Sequence, residues 1–173
     1  MAEASNEPNR PLTVDVDRWA PSASPEIAHQ LFEILDIVDQ NGALRRALTD
    51  PSRPAEDRAR LVHSLLDGRA HEVAVDIAAE LASQRSTTER QLGDALERTA
   101  VLVAAAATEN RGGGDALESL VDELIRFKSM LDRSAEVQSA FSDSRASAEA
   151  KVTLARRLST PGSEEAALLI ERA

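Results

Sequence analysis

Thr49-Asp50-Pro51-Ser52-Arg53-Pro54-Ala55-Glu56 and Ser142-Asp143-Ser144-Arg145-Ala146-Ser147-Ala148-Glu149 read as one corner written twice, 93 residues apart. In each, a helix ends, a few polar residues turn the chain, and an acidic residue opens the next helix, where the dipole is positive. Pro54 suits such a start, because a proline in a first helical turn gives up an N–H that would be unpaired there anyway. Shifting the chain on itself by 93 aligns 26–80 with 119–173 without a gap, and eleven of the 55 pairs are identical. Ala and Leu matches are cheap in this composition, so Asp39/Asp132, Asp50/Asp143, Glu56/Glu149 and Glu72/Glu165 carry more weight. Apolar positions superpose as well, as in Ile34/Phe127, Val38/Leu131, Leu48/Phe141 and Val75/Leu168. Such a repeat constrains the chain to two versions of one helical unit.

Composition agrees with helices. Among 173 residues there is no Tyr or Cys, and the aromatics are Trp19, Phe32, Phe127 and Phe141. The chain is poor in the β-branched and aromatic residues that strands prefer. Without Cys there is no disulfide framework or thiolate metal site, which suits a reducing, cytoplasmic setting. A net charge of −10 argues against a general nucleic-acid surface and against lying directly on anionic lipid. No apolar run approaches the ~20 residues of a membrane span, so no direct membrane insertion is expected.

Residues 1–24, with Pro8, Pro11 and Pro21, read as a flexible tail in which 12–16 is at most an extended tether. Trp19 either packs beside the first helix or anchors a partner. Ser24-Pro25 opens a helix with the stripe Ile27, Leu31, Ile34, Leu35, Val38, and Gly42 is expected to end it in the left-handed conformation. A short helix follows to Thr49. Another spans about 54–66, with Leu61, Leu65 and Leu66 on one side, and stops at Asp67-Gly68. Helices at about 71–83 and 88–108 come next, the second capped by Thr88 with Gln91 three residues on. Val101–Ala107 is apolar on every side, which fits either a buried central helix or one that exposes a docking face. Asn110–Gly114 is a flexible break. Asp115 caps a helix with the stripe Leu117, Leu120, Val121, Leu124, Phe127, Leu131. Short helices around 136–142 and 147–158 lead to a last one, from Ser163, that is still running at Ala173. The implied organisation is a tail (1–24), a first unit (25–110, its last helix shared with the second) and a second unit (114–173). The first unit's continuation into 88–108 has no counterpart before 173, so the second copy is expected to be incomplete at the C-terminus.

Leu44–Glu56, with the Leu-rich helix and Asp67-Gly68-Arg69 after it, resembles the delta subunit of the F-type ATP synthase. Leu124–Asp132, leading into Phe141-Ser142-Asp143, resembles the second helix and corner of that family's N-terminal domain. The duplicated arrangement is similar to the long actinobacterial members, and the resemblance covers about 25–173. It implies an all-α fold built from a tandem-duplicated helical unit, the second corresponding to the family's six-helix bundle. It also implies a non-catalytic stator subunit without cofactors, peripheral on the inner face of the cell membrane as part of the complex. Such a subunit binds N-terminal segments of the α subunits and links the catalytic head to the b subunit of the peripheral stalk. The stalk contact would be made through a C-terminal region absent here. By this mapping the family's α-subunit groove lies between about 91–109 and 163–173. Leu96, Val103, Leu168 and Leu169 are then its candidate residues, although plain core is the first reading of each, because both roles demand the same residue type.

The sequence offers no catalytic or metal constellation to set against this. His29, His63 and His71 never place two ligands on one helical face, and paired acids such as Glu164-Glu165 sit at helix starts. The competing reading is an unrelated all-helical repeat adaptor or regulatory protein.

Overall fold

The computed structural model describes residues 10–172, which are all-α, with no strand among the described residues. The helices are α1 (Val16–Trp19), α2 (Pro25–Gln40), α3 (Gly42–Thr49), α4 (Ala55–Leu66), α5 (Glu72–Ser83), α6 (Arg90–Arg133), α7 (Ala135–Ser142), α8 (Ala148–Leu158) and α9 (Glu164–Arg172), with a 3-10 turn at Ala20–Ser22. They form two compact units: unit 1 holds 10–19 and 26–102, and unit 2 holds 20–25 and 103–172.

Within unit 1 the α2 residues Ile27, Leu31, Phe32, Ile34 and Val38 are buried, as are Leu48, Val62, Ile77, Leu81, Leu92 and Leu96. Gly93 of α6 faces α2, and a Cβ there would make ordinary contacts with Leu35 Cδ1 at 3.4 Å and Asp39 Oδ1 at 3.5 Å. Unit 2 has its own core of Phe127, Ala155 and Ile170, with Leu124, Met130, Leu131 and Phe141 packed against it.

The corner is one piece of geometry used twice. α3 and α7 begin and end 93 residues apart, at 42/135 and 49/142. Asn41 and Ser134 cap them alike, the first side chain accepting from the Leu44 N–H and the second from the Val137 N–H. The corner aspartates have nearly the same backbone, φ −63°, ψ 113° at Asp50 and φ −66°, ψ 114° at Asp143. Asp50 Oδ1 accepts from the Ser52 N–H and Asp143 Oδ1 from the Arg145 N–H, the Asx-turn that lets a short polar side chain stand in for backbone.

Several local expectations change. Gly42 is not left-handed; Asn41 caps α3 directly and Gly42 is its first residue, whereas Gly68 does take φ 74° after α4. The break between the two arms of α6 is narrower than 110–114: only Gly112 (φ −154°, ψ 20°) and Gly113 (φ 64°, ψ −156°) leave helical geometry, and Asp115 is already inside the second arm. Gln91 Oε1 accepts from the Thr87 N–H, four residues before it. Of the expected tail, 1–9 lie outside the described residues. The stretch after it is tied down: Thr13 and the Gln84 carboxamide exchange two hydrogen bonds, and Arg98 donates to the carbonyl of buried Leu12. Trp19 is half-buried with the Arg18 guanidinium 4.5 Å from its ring centre. Val101 and Leu102 are exposed while Val103, Ala104 and Ala107 are buried, so the apolar run is split between the two roles it could play.

Candidate helix-docking groove

The largest departure from the sequence pattern is in α4. The sequence pattern puts Leu61, Leu65 and Leu66 on one side, yet the buried side chains are Arg58 and Val62. Arg58 explains the rotation. Its Nε donates to Ala82 O at 2.8 Å, one terminal nitrogen to Asp50 O and Arg53 O, and the other to Ser83 O and Gln84 O. A guanidinium has five N–H donors, and all five find carbonyls. Three of these carbonyls lie at the C-terminal end of α5, where helix carbonyls lack intrahelical partners and a cation is favoured. Arg58 thus ties the corner to the end of α5 and takes the inward position on α4.

With that position filled, Leu61, Leu65 and Leu66 turn toward α2 and α3 and line an open cavity of about 590 Å³. Ile34, Ile37 and Val38 come from α2, Leu44 and Leu48 from α3, and Leu92 and Leu96 from α6. Leu65 and Ile37 remain 39% and 48% exposed, which is unusual for leucine and isoleucine in a sheltered place. Among the polar liners, Gln30 accepts from the His71 N–H and Asn41 caps α3, so both are committed to the fold. The charged liners Glu33, Arg53 and Arg69 stand at the rim.

The four residues singled out from sequence fall in both units. Leu96 is 1% exposed and lies in unit 1, where it lines this cavity. Val103 (2%), Leu168 (9%) and Leu169 (8%) are buried in unit 2. There the end of the first α6 arm is tied to α9 by Arg111, whose Nε and one terminal nitrogen lie 3.4 and 3.3 Å from the two carboxylate oxygens of buried Glu165. The histidines serve local roles: His71 Nδ1 accepts from the Val73 N–H to cap α5, His63 pairs with Asp67, and His29 lies near Glu33. A groove lined from five helices was not visible as a motif. Its one sequence signal was an arginine in the middle of an amphipathic helix whose leucines would otherwise be core.

No family model matches the chain. Curated homologues do. The whole chain is 86% identical to the ATP synthase subunit delta of Kocuria rhizophila, and 40% and 41% identical to proteins of the same name from Renibacterium salmoninarum and Arthrobacter sp. (strain FB24). It spans 64 to 65% of the length of these relatives.

Proposed function

From its homology, along the whole chain, to the delta subunits of ATP synthase, we propose that this protein works in the stator of an F-type ATP synthase, holding the catalytic head still while the rotor turns. The single observation behind this reading is the 86% identity over all 173 residues to a delta subunit. A stator element needs rigidity and binding surfaces and no chemistry of its own. The packed helices, the fixed corners and the absence of a membrane-crossing helix among the described residues are compatible with a peripheral, non-catalytic part.

The finer reading is that unit 2 receives an amphipathic helix from the N-terminus of an α subunit, along the seam between the first α6 arm and α9. Arg111 and Glu165 fasten that seam, and Val103, Leu168 and Leu169 would be its apolar floor. Helix-in-groove docking of this kind is driven by apolar burial, with the helix already half-ordered by its own periodicity. A link onward to the b subunit of the peripheral stalk belongs to the same reading. The test is calorimetric titration of a synthetic α-subunit N-terminal peptide into the protein, expected to give saturable micromolar binding. An absence of heat at millimolar peptide, with the protein folded by circular dichroism, refutes the α-subunit reading. Extending the helical units as a duplication beyond the shared corners is part of this proposal.

A further inference from the structure

We propose that the open groove of unit 1 is a second docking site, taking an amphipathic helix with bulky apolar residues along one face and acidic residues near both of its ends. The inference goes beyond the seam of unit 2, because the two units differ at this place.

At the positions 93 residues on from Ile34, Ile37 and Leu48, unit 2 carries Phe127, Met130 and Phe141. Phe127 and Phe141 meet edge-to-face, with ring centroids 6.4 Å apart and planes at 86°, and belong to the core of unit 2. The smaller cavity there, about 370 Å³, is lined by Phe127, Met130, Leu158 and Ile170 together with the 159–162 loop and the charged Glu123 and Arg126. Unit 1 places aliphatic side chains where unit 2 places rings, and keeps about 590 Å³ of apolar space open. Close packing is the norm for protein interiors, so a wide opening walled by leucines marks a surface that is covered in use.

Charge selects the occupant. Arg53 lies just before α4 and Arg69 just after it, so the two rim cations bracket a helix of 12 residues, about 18 Å long. Neither guanidinium joins a salt bridge among the described residues, and the corresponding positions in unit 2 are Ala146 and Gly162. Arg53 also acts on the nearby Asp50 carboxylate, but without a close ion pair, and exposed cations at both ends of an apolar trough, on a chain of net charge −10, complement a partner helix laid along α4 with carboxylates about three turns apart. Glu33 on the opposite wall favours a basic residue midway on the partner's other flank.

The probes are two fluorescein-labelled 18-residue synthetic helices with the same leucine stripe, one with Glu and one with Lys near both ends, read by fluorescence anisotropy. The Glu helix is expected to bind in the micromolar range and the Lys helix about tenfold more weakly, since two favourable rim pairs become two repulsions. Ile34→Phe with Leu48→Phe transplants the unit 2 residues and is expected to abolish Glu-helix binding while the protein stays folded, with a melting temperature at or above the parent's. Should that variant misfold, Arg53→Glu with Arg69→Glu on the surface serves instead, and is expected to reverse the preference. Equal binding of the two helices, binding untouched by the double phenylalanine change, or a groove that takes dodecanoate and neither helix each overturns the proposal.

Discussion

Replacing Arg58 tests the account of unit 1 most directly. Arg58→Ala removes five donors at once and leaves five carbonyls without them, two in the corner (Asp50, Arg53) and three at the end of α5 (Ala82, Ser83, Gln84). Hydrogen bonds to a charged group contribute about 1.5–3 kcal/mol each, but those of one guanidinium act as a unit and water will reach the exposed side of the corner. Losing the favourable cation at a helix C-terminus adds a few tenths to about 1 kcal/mol. The expected cost is therefore about 3–5 kcal/mol, in the range found when one partner of a buried charged network is removed. Arg58→Lys is the graded control, and the 93-residue shift places Lys151 at this very position in unit 2. An ammonium has three donors, so it can serve at most three of the five carbonyls, and about half the loss is expected. Urea unfolding followed by Trp19 fluorescence reports on unit 1, which contains that residue. A loss below about 1 kcal/mol for Arg58→Ala, or an Arg58→Lys protein as stable as the parent, refutes the idea that this side chain fastens the corner to α5.

Other expectations are simpler to check. Arg111→Ala strips the partner from Glu165, which is only 1% exposed; because Arg111 is itself half exposed, the cost should be about 2 kcal/mol by urea unfolding of unit 2, and Arg111→Lys should recover part of it. The Asp50 carboxyl is held below its ordinary 3.8, first by the Ser52 hydroxyl and then by the Ser52 N–H, and Asp143 is lowered likewise by the Arg145 side chain and N–H. A carboxyl whose pKa is depressed by folding stabilises the fold above its unfolded value and loses that contribution as pH falls through the folded one, so both corners should loosen only under acid. Carbon-detected NMR titration of Ser52→Ala should show Asp50 moving back up toward 3.8 with Asp143 unchanged. At the kink of α6, Gly113→Ala should destabilise by about 1 kcal/mol, because φ 64° is strained for alanine although no atom lies near, whereas the neighbouring Gly114→Ala should be neutral or slightly stabilising.

Much of the fold was legible because it depends on local rules. Ser163, read as the start of the last helix, does accept from the Ala166 N–H there, and Asn41, Ser134 and Ser147 cap their helices by the same rule although the sequence reading did not single them out. The corner was found as a repeated string and returned as repeated dihedral angles. What stayed hidden depends on partners distant in sequence. Thr13 is held by Gln84, 71 residues away, so a proline-rich opening gave no sign of being docked. Phe32 is buried although it lies beside the predicted stripe of α2 rather than on it. Val121, placed in the core by its spacing, is 47% exposed.

The groove shows how a repeat carries information that neither copy holds alone. Read singly, α4 is an amphipathic helix with three leucines, and nothing distinguishes a core stripe from a docking stripe, since both require the same residue type. Set against α8, the two copies diverge in a correlated way. Arg58 faces Lys151, Ile34 and Leu48 face two phenylalanines, and the flanking Arg53 and Arg69 face Ala146 and Gly162. A unit that loses two rings from its interior while gaining exposed cations around the vacated space has exchanged packing for a surface. That exchange costs stability, because aliphatic residues in place of rings forgo both buried area and an edge-to-face pair. The five carbonyls gathered by Arg58 are the compensation within reach of the same helix, as they hold α4 in place from its inner side while its leucines stay open. The double phenylalanine variant should accordingly be more stable than the parent and less able to bind a helix. A variant that gained in neither respect would separate the groove from the missing rings.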